Sequence, residues 1–402
     1  MNNTPSSNRK HIGLFGRRNT GKSSLMNALL GQDYSIVSDV AGTTTDAVSK
    51  AYELQPIGPV VFHDTAGIDD DGKLGTLRVA KTKSVLEKVD IALLVTDSDE
   101  PTQWETELVS LFREMKTPWI HVRNKWDLKA QSCEAGSSDG IVYISCATKF
   151  GIDELKTAIA SKVSASEVEI PLISDLVHPP DTVVLVIPID KEAPKGRLIL
   201  PQVQVMRELL DSDVSCVIVK EKELPHVLTN VLKNPPSLVV TDSQVFLKVS
   251  GDVPQGIRLT GFSVLFARAK GDLRQYILGL KAIDKLKDGA KILIAESCSH
   301  RPVSEDIGRV KIPRWLRQYT GLDLIFDIAA GHDFPEDLSP YSLVIQCGGC
   351  MVTRKTILAR LERCKKQQVP VVNYGLTIAF LHGIIERALS PFPDILEDYQ
   401  HQ

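Results

Sequence analysis

Residues 16–23 read Gly16-Arg17-Arg18-Asn19-Thr20-Gly21-Lys22-Ser23, and this stretch decides the fold of the first part of the chain. The run His11–Phe15 before it predicts a strand, and Ser23–Leu30 predicts a helix. A loop with the spacing G-x-x-x-x-G-K-[ST] between a strand and a helix turns backbone N–H groups towards phosphates. The lysine reaches the β- and γ-phosphates, which makes Lys22 a candidate catalytic residue, and the Ser23 hydroxyl binds Mg²⁺. Further nucleotide contacts are expected from Gly16, Asn19, Thr20, Gly21 and Ser24.

Three more polar segments each follow a predicted strand, and together they specify the nucleotide. In Asp64-Thr65-Ala66-Gly67, Asp64 can hold Mg²⁺ through water and the Gly67 N–H can contact the γ-phosphate. In Asn124-Lys125-Trp126-Asp127, the Asp127 carboxylate can accept guanine N1–H and the 2-amino group, a donor pair that adenine lacks. Ser145-Cys146-Ala147 can offer backbone N–H to guanine O6, so Cys146 is interpreted as a base-loop residue. The four segments in this order predict GTP binding.

The alternation of predicted strands and helices divides the chain into three α/β domains. A doubly wound parallel sheet is expected over residues 1–168, and the Ser- and Pro-rich stretch Ser164–Pro180 predicts a linker. Two smaller α/β domains are expected at 180–266 and 270–402, the first without a catalytic constellation. Strands are predicted at Ser237–Val240 and Gln244–Val249, and a helix at Leu376–Ala388.

Composition excludes several classes of protein. The 402 residues carry 47 Lys and Arg against 50 Asp and Glu, a near-neutral balance under which no nucleic-acid partner is expected. The polar segment Met1–Lys10 does not resemble a signal peptide, and no apolar run approaches the roughly 18 residues of a membrane span. The sequence therefore predicts a cytoplasmic protein without a membrane partner. Seven cysteines, an odd number, exclude a disulfide scaffold.

Three of these cysteines follow two predicted strands of the last domain, in Cys298-Ser299-His300 and Cys347-Gly348-Gly349-Cys350. Because parallel strands end at one edge of a sheet, the three thiols can converge there. A helix starting near Thr353 places its positive end beside Cys350, which favours thiolates. The set fits a [4Fe–4S] cluster with one open iron, a zinc site completed by His300, or a redox-active Cys-x-x-C pair. Unrelated cysteines at strand ends are the remaining alternative.

The nucleotide motifs resemble the translation-factor-like GTPases of the Era/TrmE group. Gly42-Thr43-Thr44-Thr45-Asp46 is similar to their switch I, in which a threonine contacts Mg²⁺ and the γ-phosphate, so Thr43 and Thr44 are candidates and Thr44 is a candidate catalytic residue. Asn19 stands where potassium-activated members carry a K⁺ ligand; an Asn that only caps the turn is the alternative. Ile68 replaces the catalytic glutamine of Ras-like proteins, which predicts slow intrinsic hydrolysis.

With the cysteine motifs added, the full length resembles the HydF family of [FeFe]-hydrogenase maturation GTPases. The resemblance implies a [4Fe–4S] cluster on Cys298, Cys347 and Cys350, and a scaffold that carries the transient diiron precursor of the hydrogenase cluster. It also implies a homodimer formed through the middle domain. The implied partners are the radical-SAM maturases HydE and HydG and the apo-[FeFe]-hydrogenase.

One residue departs from the family pattern. Many members carry His before the Cys-x-x-C, whereas this chain has Gln346, which cannot supply an imidazole ligand. Glu305 is the favoured fourth ligand, ahead of His300 and then Asp306, because a carboxylate is a weak and exchangeable partner for iron. The six basic residues within 351–370 are interpreted as a solvated helix face. The alternative functions are an RNA-linked Era/TrmE-type GTPase with a structural zinc site and a thiol redox module fused to a switch.

Overall fold

A computed structural model describes residues 5–31, 49–65, 75–128, 137–138, 140–166, 170–189, 198–297, 306–331 and 333–401. It divides the chain into two compact units, Met1–Val168 and Glu169–Gln402. Each unit is built on parallel β-sheet with helices between the strands.

The described residues of the first unit form one seven-stranded sheet. Its strands are β1 (Lys10–Phe15), β2 (Ser49–Leu54), β3 (Gly58–Asp64), β4 (Ile91–Thr96), β5 (Trp119–Arg123), β6 (Ser137–Ser138) and β7 (Ile141–Tyr143). Its helices are α1 (Lys22–Leu30), α2 (Gly75–Leu86), α3 (Gln103–Glu114) and α4 (Ile152–Ser166). The strand order is β2-β3-β1-β4-β5-β7-β6, with β2 and β6 antiparallel to their neighbours. The parallel centre confirms the predicted doubly wound class, and the two antiparallel edge strands are features that the sequence analysis missed.

Strand β4 shows why this sheet forms. All six of its residues, Ile91–Thr96, are buried, so the strand is apolar without alternation. A strand in a parallel sheet is covered by helices on both faces, and both sets of its side chains are therefore buried. The carboxyl end of β4 lies beside that of β1, where the Gly16 loop begins.

The second unit contains two four-stranded sheets whose described strands are all parallel. Its strands are β8 (Thr182–Val186), β9 (Ser215–Val219), β10 (Leu238–Thr241), β11 (Arg258–Gly261), β12 (Lys291–Ala295), β13 (Ile325–Ala329), β14 (Leu343–Gln346) and β15 (Val371–Asn373). Its helices are α5 (Leu200–Asp211), α6 (Leu224–His226), α7 (Phe246–Asp252), α8 (Phe262–Lys270), α9 (Leu273–Leu280), α10 (Ile312–Thr320), α11 (Arg354–Lys366), α12 (Tyr374–Leu381), α13 (Ile385–Leu389) and α14 (Pro393–Gln400). The strand orders are β11-β10-β8-β9 and β13-β12-β14-β15, and one hydrophobic core runs through both sheets.

Two predicted elements of this unit are wrong. The segment Gln244–Val249 was expected as a strand, but its residues 246–249 form the start of α7, in which Phe246 and Val249 are buried and Leu247 is exposed. Buried side chains three residues apart lie on one face of a helix. The short apolar run was compatible with a helix and with a strand. The helix expected over Leu376–Ala388 is divided into α12 and α13, because Gly383 between them takes a left-handed φ of +68°.

The packing of α9 on β15 depends on a glycine, which gives a stability prediction. A Cβ at Gly279 would lie 2.1 Å from the carbonyl oxygen of Val371, so alanine must push the helix from the sheet. We expect Gly279→Ala to destabilise the fold by about 1–3 kcal/mol despite the better helix propensity of alanine. A Cβ at Gly251 in α7 would have no described atom within 4 Å. Gly251→Ala is the matched control and should be neutral or stabilising in urea unfolding; equal effects of the two variants would contradict the packing argument.

Candidate functional site

The phosphate-loop glycines of the first unit are required by their surroundings. A Cβ at Gly16 would lie 2.2 Å from the backbone oxygen of Val95, and one at Gly21 would lie 2.2 Å from Nδ2 of Asn124. Helix α1 begins directly after Gly21, at Lys22. The Lys22 ammonium is buried and donates to the carbonyl oxygens of Gly16 and Arg17, at 2.5 and 2.9 Å. The loop therefore closes around the Lys22 ammonium.

Asn124 links the phosphate loop to the predicted guanine loops. Its Nδ2 donates to the Thr20 carbonyl at 2.9 Å, and its Oδ1 accepts from the Cys146 N–H at 3.3 Å. The Ser145 hydroxyl accepts from Thr148 N–H at 3.2 Å, which fixes the turn that carries Cys146 and Ala147. The structure thus brings the 16–23, 124–127 and 145–147 segments together at one edge of the sheet.

An ion-pair network that the sequence analysis missed holds the same loops. Asp97 accepts from the Lys125 ammonium at 2.7 Å and from Arg17 at 3.5 Å, and Arg17 also donates to Glu105 at 3.2 Å. Burial acts to raise the pKa of Asp97, but the hydrogen bond and charge of Lys125 with the charge of Arg17 bring it below its usual value. Asp97 is therefore a carboxylate that joins the phosphate loop to the Asn124–Asp127 loop.

Cys146 is held beside Asn124, because its backbone N–H donates to the Asn124 side chain. Burial, with a smaller contribution from the Asp127 charge, raises the pKa of its thiol to about 11, against the hydrogen bond with Asn124. A thiol that stays protonated at neutral pH is a poor nucleophile. The exposed side chain of Asp127 follows on the neighbouring loop.

Other predicted nucleotide residues have different positions. Asp64 ends β3, next to Leu14 of β1, and therefore lies at the same sheet edge as the phosphate loop. Ser23 and Ser24 are exposed in the first turn of α1, and Asn19 is exposed with a left-handed φ of +65°. Thr43, Thr44 and Gly67 lie outside the described residues.

The second unit brings the two predicted cysteine segments to neighbouring strand ends. Ala295 of β12 pairs with Gln346 of β14, and Cys347 N–H donates to the Ala295 carbonyl at 2.9 Å. The Ser297 N–H then donates to the Cys347 sulfur at 3.1 Å. Ser297 directly precedes Cys298 in the sequence, although Cys298, His300 and Glu305 themselves lie outside the described residues.

The Cys347–Val352 loop surrounds a lysine from α8. Lys270 Nζ donates to the carbonyl oxygens of Gly349, Cys350 and Val352, at 3.1, 3.3 and 2.9 Å. Burial lowers the pKa of Lys270 to about 8, against the attraction of the Cys350 and Cys347 sulfurs. Burial likewise raises the pKa of Cys350, helped by Cys347 and opposed by Lys270. Both cysteines are free thiols.

The donor set that is described fits part of a thiolate-bound metal centre. Two soft sulfur ligands with a backbone N–H donated to one of them are typical of iron–sulfur sites and are also compatible with zinc. Within the described ranges, no three His, Cys, Asp or Glu side chains are grouped to hold a metal ion. The predicted third ligand, Cys298, lies outside the described residues.

Buried polar groups line the same sheet edge. Glu296 forms a paired ion contact with Arg309, with its Oε2 2.7 Å from Nη2. Asp306, the third candidate for the fourth ligand, accepts from Arg309 N–H at 2.7 Å and caps the turn of helix that follows. Gln346 is fully buried, and neither end of its amide has a hydrogen-bond partner among the described residues.

Two basic residues of α11 are structural rather than solvated. Arg360 is buried and donates to the Gly331 carbonyl at 2.5 Å, and Arg363 donates to the Phe334 and Pro335 carbonyls at 3.2 and 3.1 Å. The predicted solvated face is therefore wrong at these two positions. Cys364 on the same helix is a buried core thiol, whose pKa burial raises to about 12.

Comparisons with family models match three successive parts of the chain. Residues 11–125 match the model described as 50S ribosome-binding GTPase, and residues 172–271 match the hydrogen maturase F dimerization domain. Residues 274–391 match the hydrogen maturase F tetramerization domain. The last two matches follow each other and together extend over the second unit.

Two GTPases are similar to part of the chain. Residues of this chain are 36% identical over 159 positions to the tRNA modification GTPase MnmE of Chromobacterium violaceum, covering 39% of this chain and 35% of that protein. GTPase Der of Campylobacter fetus subsp. fetus is 43% identical over 136 positions, covering 33% and 28%. The chain thus spans about a third of the length of these relatives. Among the described helices, none is both long and apolar enough to cross a membrane.

Proposed function

Because this chain belongs to the hydrogen maturase F family, we propose that it is a GTPase and an iron–sulfur scaffold that matures [FeFe]-hydrogenase. The observation that carries the proposal is the contact between Ser297 N–H and the Cys347 sulfur. It joins the ends of two neighbouring parallel strands, each followed by a predicted cysteine motif. The nucleotide site is in the first unit and the cysteine site in the second, so the two activities reside in separate units.

In the proposed GTPase, residues of the phosphate loop and of the strand ends bind the phosphates and Mg²⁺. Lys22 exchanges its loop carbonyls for the β- and γ-phosphate oxygens, and Ser23 binds Mg²⁺. Asp64 holds Mg²⁺ through water at the end of β3. Thr43 or Thr44 and the Gly67 N–H complete the contacts to Mg²⁺ and the γ-phosphate. We propose slow intrinsic hydrolysis, because Ile68 stands where a water-orienting glutamine would be.

Guanine selection is assigned to three loops at the same edge of the sheet. Asp127 accepts N1–H and the 2-amino group, and the backbone around Cys146 and Ala147 donates to O6. Asn124 connects the phosphate loop with the Ser145–Ala147 loop, because its side chain hydrogen-bonds the Thr20 carbonyl and the Cys146 N–H. The Lys125–Asp97 ion pair keeps the base loop in register with the phosphate loop.

The proposed cluster ligands are Cys298, Cys347 and Cys350, with Glu305 as the fourth and His300 as its alternative. When bound, a [4Fe–4S] cluster would supply an iron whose weak fourth ligand can be exchanged. The chain itself supplies thiolates, the Ser297 N–H that donates to sulfur, and the Lys270 charge. Asp306 is left out of the ligand set, because its carboxylate already caps Arg309 N–H.

Assembly and delivery are assigned to the two modules of the second unit. We assign residues 180–266 to homodimer formation and residues 270–402 to cluster binding. In the described structure, edge strand β9 pairs with β8 alone, and Ile218 on it is 48% exposed, which leaves an edge that a second copy can cover. HydE and HydG are the proposed suppliers of the diiron precursor, and the apo-[FeFe]-hydrogenase is its acceptor.

A transfer assay tests the delivery function. Anaerobically reconstituted protein, incubated with HydE and HydG and then repurified, is added to apo-[FeFe]-hydrogenase. We expect hydrogen evolution to appear only with the incubated protein and not with the protein reconstituted with iron and sulfide alone. Hydrogenase that stays inactive with both preparations would refute a delivery role.

Asn19 gives a prediction about monovalent cations. A K⁺ ion held beside the phosphates can supply the positive charge that an arginine finger gives elsewhere. We expect KCl to raise GTP turnover by at least about tenfold over NaCl, because one well-placed charge in the transition state is worth more than about 1.4 kcal/mol. Asn19→Gly keeps the left-handed backbone but removes the side-chain oxygen, so the preference for K⁺ should disappear.

The matched variant Asn19→Asp retains an oxygen ligand and tolerates the same backbone conformation. It should therefore keep a preference for K⁺ over NaCl. Equal turnover of the unsubstituted protein in the two salts would show that Asn19 only caps the turn.

A further inference from the structure

Lys270 occupies the centre of the Cys347–Val352 loop. It is the last residue of α8, and its ammonium donates to three loop carbonyls, those of Gly349, Cys350 and Val352. A lysine ammonium has three N–H groups, so these bonds use its full donor capacity. The loop therefore wraps around this cation instead of merely passing near it.

The two peptide units on either side of Cys350 also carry N–H groups, those of Cys350 and Met351. These N–H groups act to lower the pKa of the Cys350 thiol, against the larger effect of burial, which raises it. These N–H groups belong to the peptides whose carbonyls, Gly349 and Cys350, accept from Lys270. In a planar trans peptide, the C=O and the N–H point in opposite directions. A cation that holds the two carbonyls consequently turns the two N–H groups away from itself and fixes their direction beside the Cys350 side chain.

We propose that Lys270 is a positioning residue of the cysteine site, which orients and polarises the amides that stabilise the Cys350 thiolate under a bound cluster. This inference rests on the proposed cluster-binding function. Carbonyls that accept from a cation make their peptide N–H groups stronger donors. N–H bonds to sulfur and nearby positive charge both favour the reduced form of an iron–sulfur cluster. Lys270 thus influences cluster retention and reduction potential without touching the cluster.

The loop is built to need such a support. Gly349 has a left-handed φ of +67°, and a Cβ there would lie 2.6 Å from Cδ1 of Ile357. The three carbonyl oxygens converge on one point, where they would repel each other without the ammonium.

The test compares three variants of the full chain, reconstituted anaerobically with iron and sulfide. Lys270→Met keeps length but removes charge and donors, Lys270→Arg keeps charge, and Lys287→Met removes an exposed lysine as the control. We expect Lys270→Met to lose iron to a chelator about tenfold faster or more, from the loss of charged hydrogen bonds. Its reduction potential should shift to a more negative value, whereas Lys270→Arg should retain most of the potential and Lys287→Met all of it.

Two controls keep the outcomes separate. If Lys270→Met loses iron at the same rate as the unsubstituted protein and has the same cluster reduction potential, the proposed role of Lys270 is overturned. The proposal that the chain binds a cluster is then unaffected. If the unsubstituted protein takes up no iron, the proposed function fails, and amide hydrogen exchange in the apo-protein still tests the orientation. Exchange at Cys350 and Met351 should then be faster in Lys270→Met, and unchanged exchange would overturn the proposed role of Lys270.

If Lys270→Met does not fold, Lys270→Arg takes its place in the measurement of iron loss. A guanidinium keeps the charge but cannot put three donors at one point, so iron loss should still be faster than in the unsubstituted protein. Equal iron loss in the two proteins would overturn the proposed role of Lys270.

Discussion

Serine in place of Cys347 is expected to abolish cluster binding, whereas serine in place of Cys216 leaves it intact. A hydroxyl is a harder and less acidic ligand than a thiol, so Cys347→Ser removes one of three proposed iron ligands. It also removes the sulfur that accepts from Ser297 N–H at the junction of β12 and β14. We expect reconstituted iron to fall from about four atoms per chain to below one, with loss of the brown colour.

Cys216 is the matched control because it is a free cysteine on β9, in the other sheet of the same unit. It lies outside both predicted cysteine motifs. Iron and absorption of Cys216→Ser should equal those of the unsubstituted protein. If Cys347→Ser retains its iron, or if both variants lose iron equally, the proposed cluster site at the cysteines is wrong.

Asparagine in place of Asp127 is expected to change which purine nucleotide the protein hydrolyses. The amide group would turn an N–H donor towards the guanine 2-amino group, which is itself a donor. Two hydrogen bonds to a charged carboxylate are lost, so the affinity for GTP should fall by about 100-fold or more. Xanthosine triphosphate carries an acceptor oxygen at the same carbon, and it should become the better substrate.

The control for this exchange is Asp153→Asn, at an exposed carboxylate in α4 that pairs with Lys156 on the surface. Its preference for GTP should be unchanged. Turnover with both nucleotides, compared in one buffer at fixed Mg²⁺, measures the ratio directly. An Asp127→Asn protein that still prefers GTP would show that the 124–127 loop does not read the base.

Local sequence was sufficient for much of the fold and for the family. The glycine spacing of residues 16–23 can be recognised in the sequence, because neither glycine can be replaced by a residue with a Cβ. A Cβ at Gly16 would collide with the Val95 carbonyl, and one at Gly21 would collide with Asn124. The strand–loop–helix order is likewise a short-range property. The GTPase-type sheet and the family therefore followed from a few residues, and the comparisons confirm both.

Interactions between distant residues could not be predicted in the same way. Arg17, Asp97 and Lys125 join three loops, and nothing in the spacing of one charged residue specifies its partner in another loop. Lys270 similarly ends a helix far in sequence from the cysteine loop that it supports. The strand expected at Gln244–Val249 failed for another reason: six residues do not separate a helical from an extended apolar pattern.

The most direct test of the central claim is the metal content of protein purified without oxygen. Iron, zinc and acid-labile sulfide are measured per chain, with absorption and EPR spectra of the same sample. The account predicts about four irons and four sulfides per chain in brown protein, with an EPR signal after reduction. Stoichiometric zinc without iron, or a metal-free dithiol, would contradict it.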